Sequence, residues 1–150
     1  MLLLSTLGYA RRMDGAKLLE RLAQPVSYTL PRLRGYPLCL VRLPNVGELL
    51  ILSHGGRMLR MPVKAIERTE ARLMRVPLKS GVVAAVGLPA PAEMLIATAG
   101  GYVLRVNSAT LPMMHEANTT GEKITSRTQP VALRPYDAAG AYALLTTAPA

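Results

Sequence analysis

The sequence predicts an all-β fold, a propeller-like array of about three four-stranded antiparallel blades. Three observations predict it. A hairpin motif, made of an apolar run, a glycine turn and a second run that contains an arginine, occurs three times and aligns without a gap; its period lies in the forties; and a separate apolar strand ended by proline recurs between the copies. Units of that length carrying several short strands form propeller-like arrays, because one unit cannot bury its own apolar face and must stack on its neighbours.

The clearest copy is residues 93–106, where Met94-Leu95-Ile96-Ala97-Thr98 leads into Gly100-Gly101 and on to Val103-Leu104-Arg105-Val106. Runs this short, bounded by glycines that supply the positive φ of a tight turn, suit the two strands of a hairpin better than a helix. Strand alternation puts Tyr102, Leu104 and Val106 on one face and Val103 and Arg105 on the other. Residues 48–61 repeat the layout around Gly55-Gly56, and residues 2–13 repeat it around Gly8. With Gly8, Gly56 and Gly101 in register the spacings are 48 and 45 residues, and Arg12, Arg60 and Arg105 each follow four residues later.

Linking strands support the same period. Residues 38–44 precede the second hairpin, residues 82–89 the third, and residues 131–135 stand in the same place after it, each an apolar run ended by proline. A unit then comprises this strand, the hairpin it leads into, and a variable polar stretch that supplies a further strand. The variable stretches are residues 14–36, 62–80 and 107–130. Residues 16–23 have the spacing for two helical turns with Leu18, Leu19 and Leu22 on one side, and are expected as a turn or short helix at a blade edge. Residues 118–123, Asn-Thr-Thr-Gly-Glu-Lys, read as a surface loop from their turn chemistry. The expected repeats are residues 1–47, 48–92 and 93–142 of one partial domain covering 1–150. A fourth begins at residues 143–150, where Thr147 falls 49 residues after Thr98, so the chain is expected to end inside a repeat.

The composition fits a folded chain with an unusual interior. Half of the 150 residues are apolar, yet there is no Trp and no Phe, so the core must be built from aliphatic residues, Met and a few Tyr. Lys and Arg number 18 against 9 acidic residues, a formal charge of +9. That balance suits a polyanionic partner, whether nucleic acid, an anionic membrane or an acidic protein, and it also suits a merely solvated basic surface. Cys39 is the single cysteine, which excludes an internal disulfide and fits a reducing compartment. No apolar run approaches the roughly 18–20 residues of a membrane span. Met1-Leu2-Leu3-Leu4 is too short for a secretion signal, so no membrane partner and a cytoplasmic location are expected.

No catalytic, metal or cofactor site is expected. His54 and His115 have no second ligand at metal-binding spacing, no Gly-x-Ser-x-Gly elbow occurs, and the glycine pairs lack the Gly-Lys-Ser/Thr of a phosphate cradle. The basic residues say more. Arg11, Arg12, Lys17, Arg57, Arg60, Lys64, Arg68, Arg72, Arg75, Lys79 and Arg105 fall in matching parts of the repeats, so stacking the repeats would align them into a stripe. Arg and Lys hold a phosphate backbone without reading base sequence, through released counterions. For Arg12, Arg60 and Arg105 the alternative is an outward place on a half-exposed strand.

A Leu/Ile-rich strand, then Thr or Ser, Gly, a basic residue and a large apolar one, repeating near 48 residues, resembles the C-terminal domain of bacterial DNA gyrase and topoisomerase IV A subunits. Residues 95–106 carry the resemblance best, followed by residues 49–61 and 2–13. The resemblance implies a β-pinwheel whose blades are four-stranded and whose basic rim binds double-stranded DNA with little sequence preference, bending or wrapping it. It also implies a non-catalytic module of an ATP-dependent type IIA DNA topoisomerase, partnered by the remainder of the A subunit and by the B subunit. The alternative is a propeller-like interaction module for an acidic protein. The gyrase A subunit carries a box of glutamine, two arginines, two glycines, arginine and glycine that supports tight wrapping; this sequence has no such box. None of its tyrosines has the context of the family's DNA-cleaving tyrosine, which belongs to another domain.

Overall fold

The computed structural model describes residues 1–25, 27, 29–126 and 128–143. The chain runs through β1 (Leu2–Ser5), β2 (Tyr9–Arg12), α1 (Gly15–Leu22), β3 (Pro37–Val41), β4 (Glu48–Ser53), β5 (Arg57–Pro62) and β6 (Ala71–Arg72). It continues through β7 (Val82–Leu88), β8 (Glu93–Thr98), β9 (Val103–Asn107), β10 (Glu122–Lys123) and β11 (Pro130–Pro135), with single 3-10 turns at Val63–Ala65 and Ser108–Thr110. Residues 144–150, where the fourth copy is expected, lie outside the described residues.

The three hairpins β1–β2, β4–β5 and β8–β9 are antiparallel and share one turn chemistry. Gly8, Gly56 and Gly101 have φ of 82°, 77° and 82°, a left-handed conformation that glycine adopts without a steric penalty. Their N–H groups donate to the carbonyls of Ser5, Ser53 and Thr98 at 3.1, 3.1 and 3.0 Å. The hydroxyls of those same residues accept from the N–H groups of Tyr9, Arg57 and Tyr102, each at 3.2 Å. A hydroxyl residue three positions before the glycine therefore satisfies backbone donors that the turn would otherwise leave buried and unpaired.

The hairpins are completed by strands that arrive out of order. The first sheet runs β3-β1-β2-β6, the second β10-β5-β4-β7, and the third β11-β8-β9. Each linking strand pairs with the hairpin before it, β3 with β1, β7 with β4 and β11 with β8, rather than with the hairpin it leads into. A repeating sequence leaves the start of its unit undefined, so only the pairing decides which hairpin owns the strand. The variable stretches do supply further strands, and these cross back: β6 pairs with β2, and β10 with β5. Adjacent sheets are interlocked by these crossings. The third sheet has three strands among the described residues.

Two cores separate the three sheets. Leu2, Leu4 and Ala10 of the first sheet meet Leu49, Ile51, Leu59 and Met61 of the second, while Leu50, Leu52 and Met58 on the second sheet's other face meet Met94 and Ile96 of the third. Strand β4 is buried along its whole length, which explains its unbroken apolar sequence where a half-exposed strand would alternate. Each fully buried Leu or Ile contributes roughly 1.5–3 kcal/mol, so the central strand supplies much of the stability. Helix α1 is capped by Asp14, whose Oδ1 accepts from the N–H groups of Ala16 and Lys17 at 3.0 and 3.2 Å. Of the expected apolar trio only Leu18 is buried; Leu19 and Leu22 are exposed by 65% and 50%.

Candidate nucleic-acid interface

The hairpin turn fixes which face each later residue takes, and the residue four positions beyond the turn glycine points at the following sheet. Arg12 shares a face with buried Ala10, and its Nη1 donates to the Ile66 carbonyl at 3.4 Å. Arg60 shares a face with buried Met58; its Nε donates to Glu48 Oε2 at 2.7 Å and its Nη1 to the carbonyls of Leu111 and Ala109 at 3.0 and 3.5 Å. Ile66 and Leu111 each end a 3-10 turn of the next unit. These two arginines therefore tie one sheet to the turn that follows it.

Arg105 occupies the same place on the third sheet and is exposed. Its Nε donates to Glu93 Oε2 at 3.0 Å, and its guanidinium lies 4.3 Å from the centre of the Tyr136 ring. Glu93 also accepts from Asn107 Nδ2 at 3.2 Å.

The other basic residues gather toward the first two sheets. Arg11, Arg12 and Lys17 line a groove of about 200 Å³ between β2 and α1, and Arg12 and Arg68 line a cleft of about 430 Å³ with Asp14 and Asn45. At the hairpin end of the second sheet, Arg57 is exposed and its Nη1 donates to the Gly121 carbonyl at 3.1 Å. Arg72 lies 5.5 Å from the centre of the Tyr9 ring and donates from Nη2 to the Val76 carbonyl at 3.1 Å. Lys64, Arg75 and Lys79 are exposed on the stretch between β5 and β7. Among the described residues only two ion pairs form, Arg60–Glu48 and Arg105–Glu93. The charges of Arg11, Lys17, Lys64, Arg68, Arg75 and Lys79 therefore face water without a carboxylate partner.

Two further cations belong to this surface and escaped the sequence reading. Arg34 also lies over the Tyr9 ring, 5.6 Å from its centre, and the Tyr9 hydroxyl, followed by the Tyr9 and Glu70 charges, raises the guanidinium above its ordinary pKa. Lys123 on β10 donates to the Gly55 carbonyl at 2.7 Å. The signal for Lys123 was its likeness to Arg72: Arg72-Leu73 and Lys123-Ile124 both put a basic residue before a branched aliphatic one in the back-crossing strand.

The arrangement suits an extended anion. His54 is half-buried beside its turn and His115 is exposed. Among the described residues no three His, Cys, Asp or Glu side chains come together as a metal site, and no helix is long and apolar enough to cross a membrane.

Three interlocked antiparallel sheets with back-crossing outer strands define the β-pinwheel class, and solved structures carry the same fold. The C-terminal domain of DNA gyrase A superposes with a TM-score of 0.64 at 12% identity, over 89% of this chain and 46% of that one. The E. coli ParC C-terminal domain gives 0.59 at 18% identity, over 89% of this chain and 60% of that one. The C-terminal domain of DNA topoisomerase IV gives 0.62 at 14% identity, over 91% of this chain and 46% of that one. The chain thus spans roughly half the length of the domains it matches. Its sequence matches no protein-family model and no curated protein.

Proposed function

We propose that this chain is a non-catalytic, sequence-tolerant DNA-binding module of a type IIA topoisomerase A subunit, working in the cytoplasm beside the remainder of that subunit and the ATP-dependent B subunit. The observation that carries the reading is the set of six exposed cations without carboxylate partners, on a chain of charge +9 whose fold is shared with topoisomerase C-terminal domains. Residues 1–47, 48–92 and 93–142 act as its three repeats.

Arg11, Lys17, Lys64, Arg68, Arg75 and Lys79, with Arg57 at the second hairpin, are the phosphate contacts in this reading. Arg72 contributes while stacked on Tyr9, and Arg12, Arg60 and Arg105 act mainly by fixing the sheets that carry the others. Contacts of this kind position a duplex and read no sequence. Among the described residues no recognition helix is available to enter a major groove, since α1 is a helix of only eight residues.

Fluorescence anisotropy with two duplexes of unrelated sequence tests this. Both should bind with similar affinity, and replacing Arg57, Lys64 and Arg68 together by Ala should weaken both equally. Failure to bind either duplex, with retention of an acidic protein, would replace the reading with that of a protein-interaction module. Wrapping is a separate matter: a change in plasmid linking number on binding would add it, and no change would leave docking alone.

A further inference from the structure

Two segments from later in the chain are tied to the turn of the first hairpin. Thr6 N–H donates to the Tyr36 carbonyl at 2.9 Å, and Tyr36 N–H donates to Thr6 Oγ1 at 3.4 Å. The Thr6 carbonyl accepts from Val82 N–H at 2.8 Å, and the adjacent Gly81 carbonyl accepts from His54 N–H of the second turn at 2.8 Å. Just before Gly81, residues 77–80 make a tight turn of their own, closed by Ser80 N–H donating to the Pro77 carbonyl at 3.0 Å. Backbone hydrogen bonds thus brace both incoming segments, the one that carries Tyr36 and the one that carries Leu78.

The two side chains are left in water. Tyr36 is 82% exposed and Leu78 is 92% exposed. Single apolar residues are ordinary on a surface, but these two belong to segments fixed to one turn, and both sit among cations. Residues 71–81 include Arg72, Arg75 and Lys79 and no acidic residue. Arg34 and Arg72 both lie over the ring of Tyr9, which follows the same turn, at 5.6 and 5.5 Å from its centre. One carboxylate reaches this end: Glu70 accepts from the Arg34 N–H at 3.4 Å.

We propose that this end of the array contacts DNA bases where their stack is already broken, Leu78 inserting at the open step and Tyr36 supplying a face for a base. The inference rests on the reading of the chain as a DNA-binding module and adds a substrate preference to it, for locally mispaired or unstacked duplex. Such a step offers an apolar slot bordered by phosphates, which suits exposed apolar side chains ringed by cations. Apolar wedges enter base steps at a cost in stacking, and a mispaired site has already lost much of that stacking. Base–aromatic stacking is sequence-tolerant, because every base has a π-face, so this contact leaves the module indifferent to sequence. Braced backbones favour it further, since little ordering is needed on binding. An anionic membrane would answer the same charge, but two side chains on separate turns form no continuous apolar face of the kind an interfacial helix buries.

Anisotropy titrations of the whole chain test this with a fully paired duplex and with a second duplex that carries a short run of mismatched pairs at its centre. The mismatched duplex should bind roughly tenfold tighter. Leu78→Ser combined with Tyr36→Ser should bring the two affinities together, and, both positions being exposed, should leave the fold intact by circular dichroism. The Arg57, Lys64 and Arg68 triple alanine variant should weaken both duplexes and keep their ratio. Iodouracil placed in the mismatched run should cross-link to Tyr36 on irradiation. Equal affinity of the unchanged chain for the two duplexes, or a preference that the double variant retains, overturns this proposal and leaves phosphate-based DNA binding standing. Failure to bind either duplex overturns both readings, and if the double variant then releases phosphatidylserine vesicles that the unchanged chain holds, the patch belongs to a membrane contact instead.

Discussion

Arg60 and Glu48 form an ion pair at 2.7 Å between the second and third sheets, with side chains only 12% and 3% exposed. The same carboxylate accepts from the Ser108 hydroxyl at 2.7 Å, and Ser108 Oγ in turn accepts from Ala92 N–H at 2.9 Å. Charged groups taken out of water need this degree of satisfaction, and removal of one partner leaves the other buried and uncompensated. Arg60→Ala should therefore destabilise the chain by about 3–5 kcal/mol. Arg105→Ala removes the equivalent but solvent-exposed pair and should cost about 1 kcal/mol or less. Urea denaturation of the two variants checks the contrast, and equal losses would contradict it.

The turn glycines should separate in the same way. All three hold a left-handed φ, so Ala at any of them costs about 1 kcal/mol from backbone strain alone. At Gly8 and Gly56 the new Cβ would also collide with a backbone oxygen of the back-crossing strand, adding roughly 1–3 kcal/mol. Thermal melts should show Gly8→Ala and Gly56→Ala well below Gly101→Ala.

Burial on β3 pushes the Cys39 thiol above its ordinary pKa, partly opposed by a hydrogen bond from the Ala85 backbone. Alkylation at neutral pH should thus be slower than for an unstructured peptide thiol, and should accelerate only as pH rises beyond the usual cysteine range. The raised folded value favours the protonated thiol, so its contribution to stability is whole below the unfolded pKa and is lost as pH climbs through the folded one. Cys39→Ala should flatten the alkaline part of the stability profile, measured by urea midpoints against pH.

The hairpins were legible because everything that makes them is local: a hydroxyl residue, a glycine three positions later, and apolar runs on each side. The back-crossing strands were not, since β6 and β10 pair over two residues each and their only mark is Arg72-Leu73 or Lys123-Ile124. The assignment of linking strands to hairpins was equally hidden, because β3 reads the same in sequence whether it pairs forward or backward. Glu48 and Glu93 did carry a signal: each stands twelve residues before its arginine, and hairpin register brings the two within reach across the strands. The surface cations were visible as residue types, while their separation into interlocking arginines and free ones depends on strand parity and on which sheet comes next.

In the proposed function exposed cations on this fold hold DNA by its phosphates, and the salt dependence of binding tests this most directly. If about four to six phosphates are contacted, the logarithm of affinity should fall against the logarithm of salt concentration with a slope of roughly −4 to −5. The Arg57, Lys64 and Arg68 triple alanine variant should give a shallower slope. Binding that does not change with salt, or a slope the triple variant leaves as steep as before, would contradict the account.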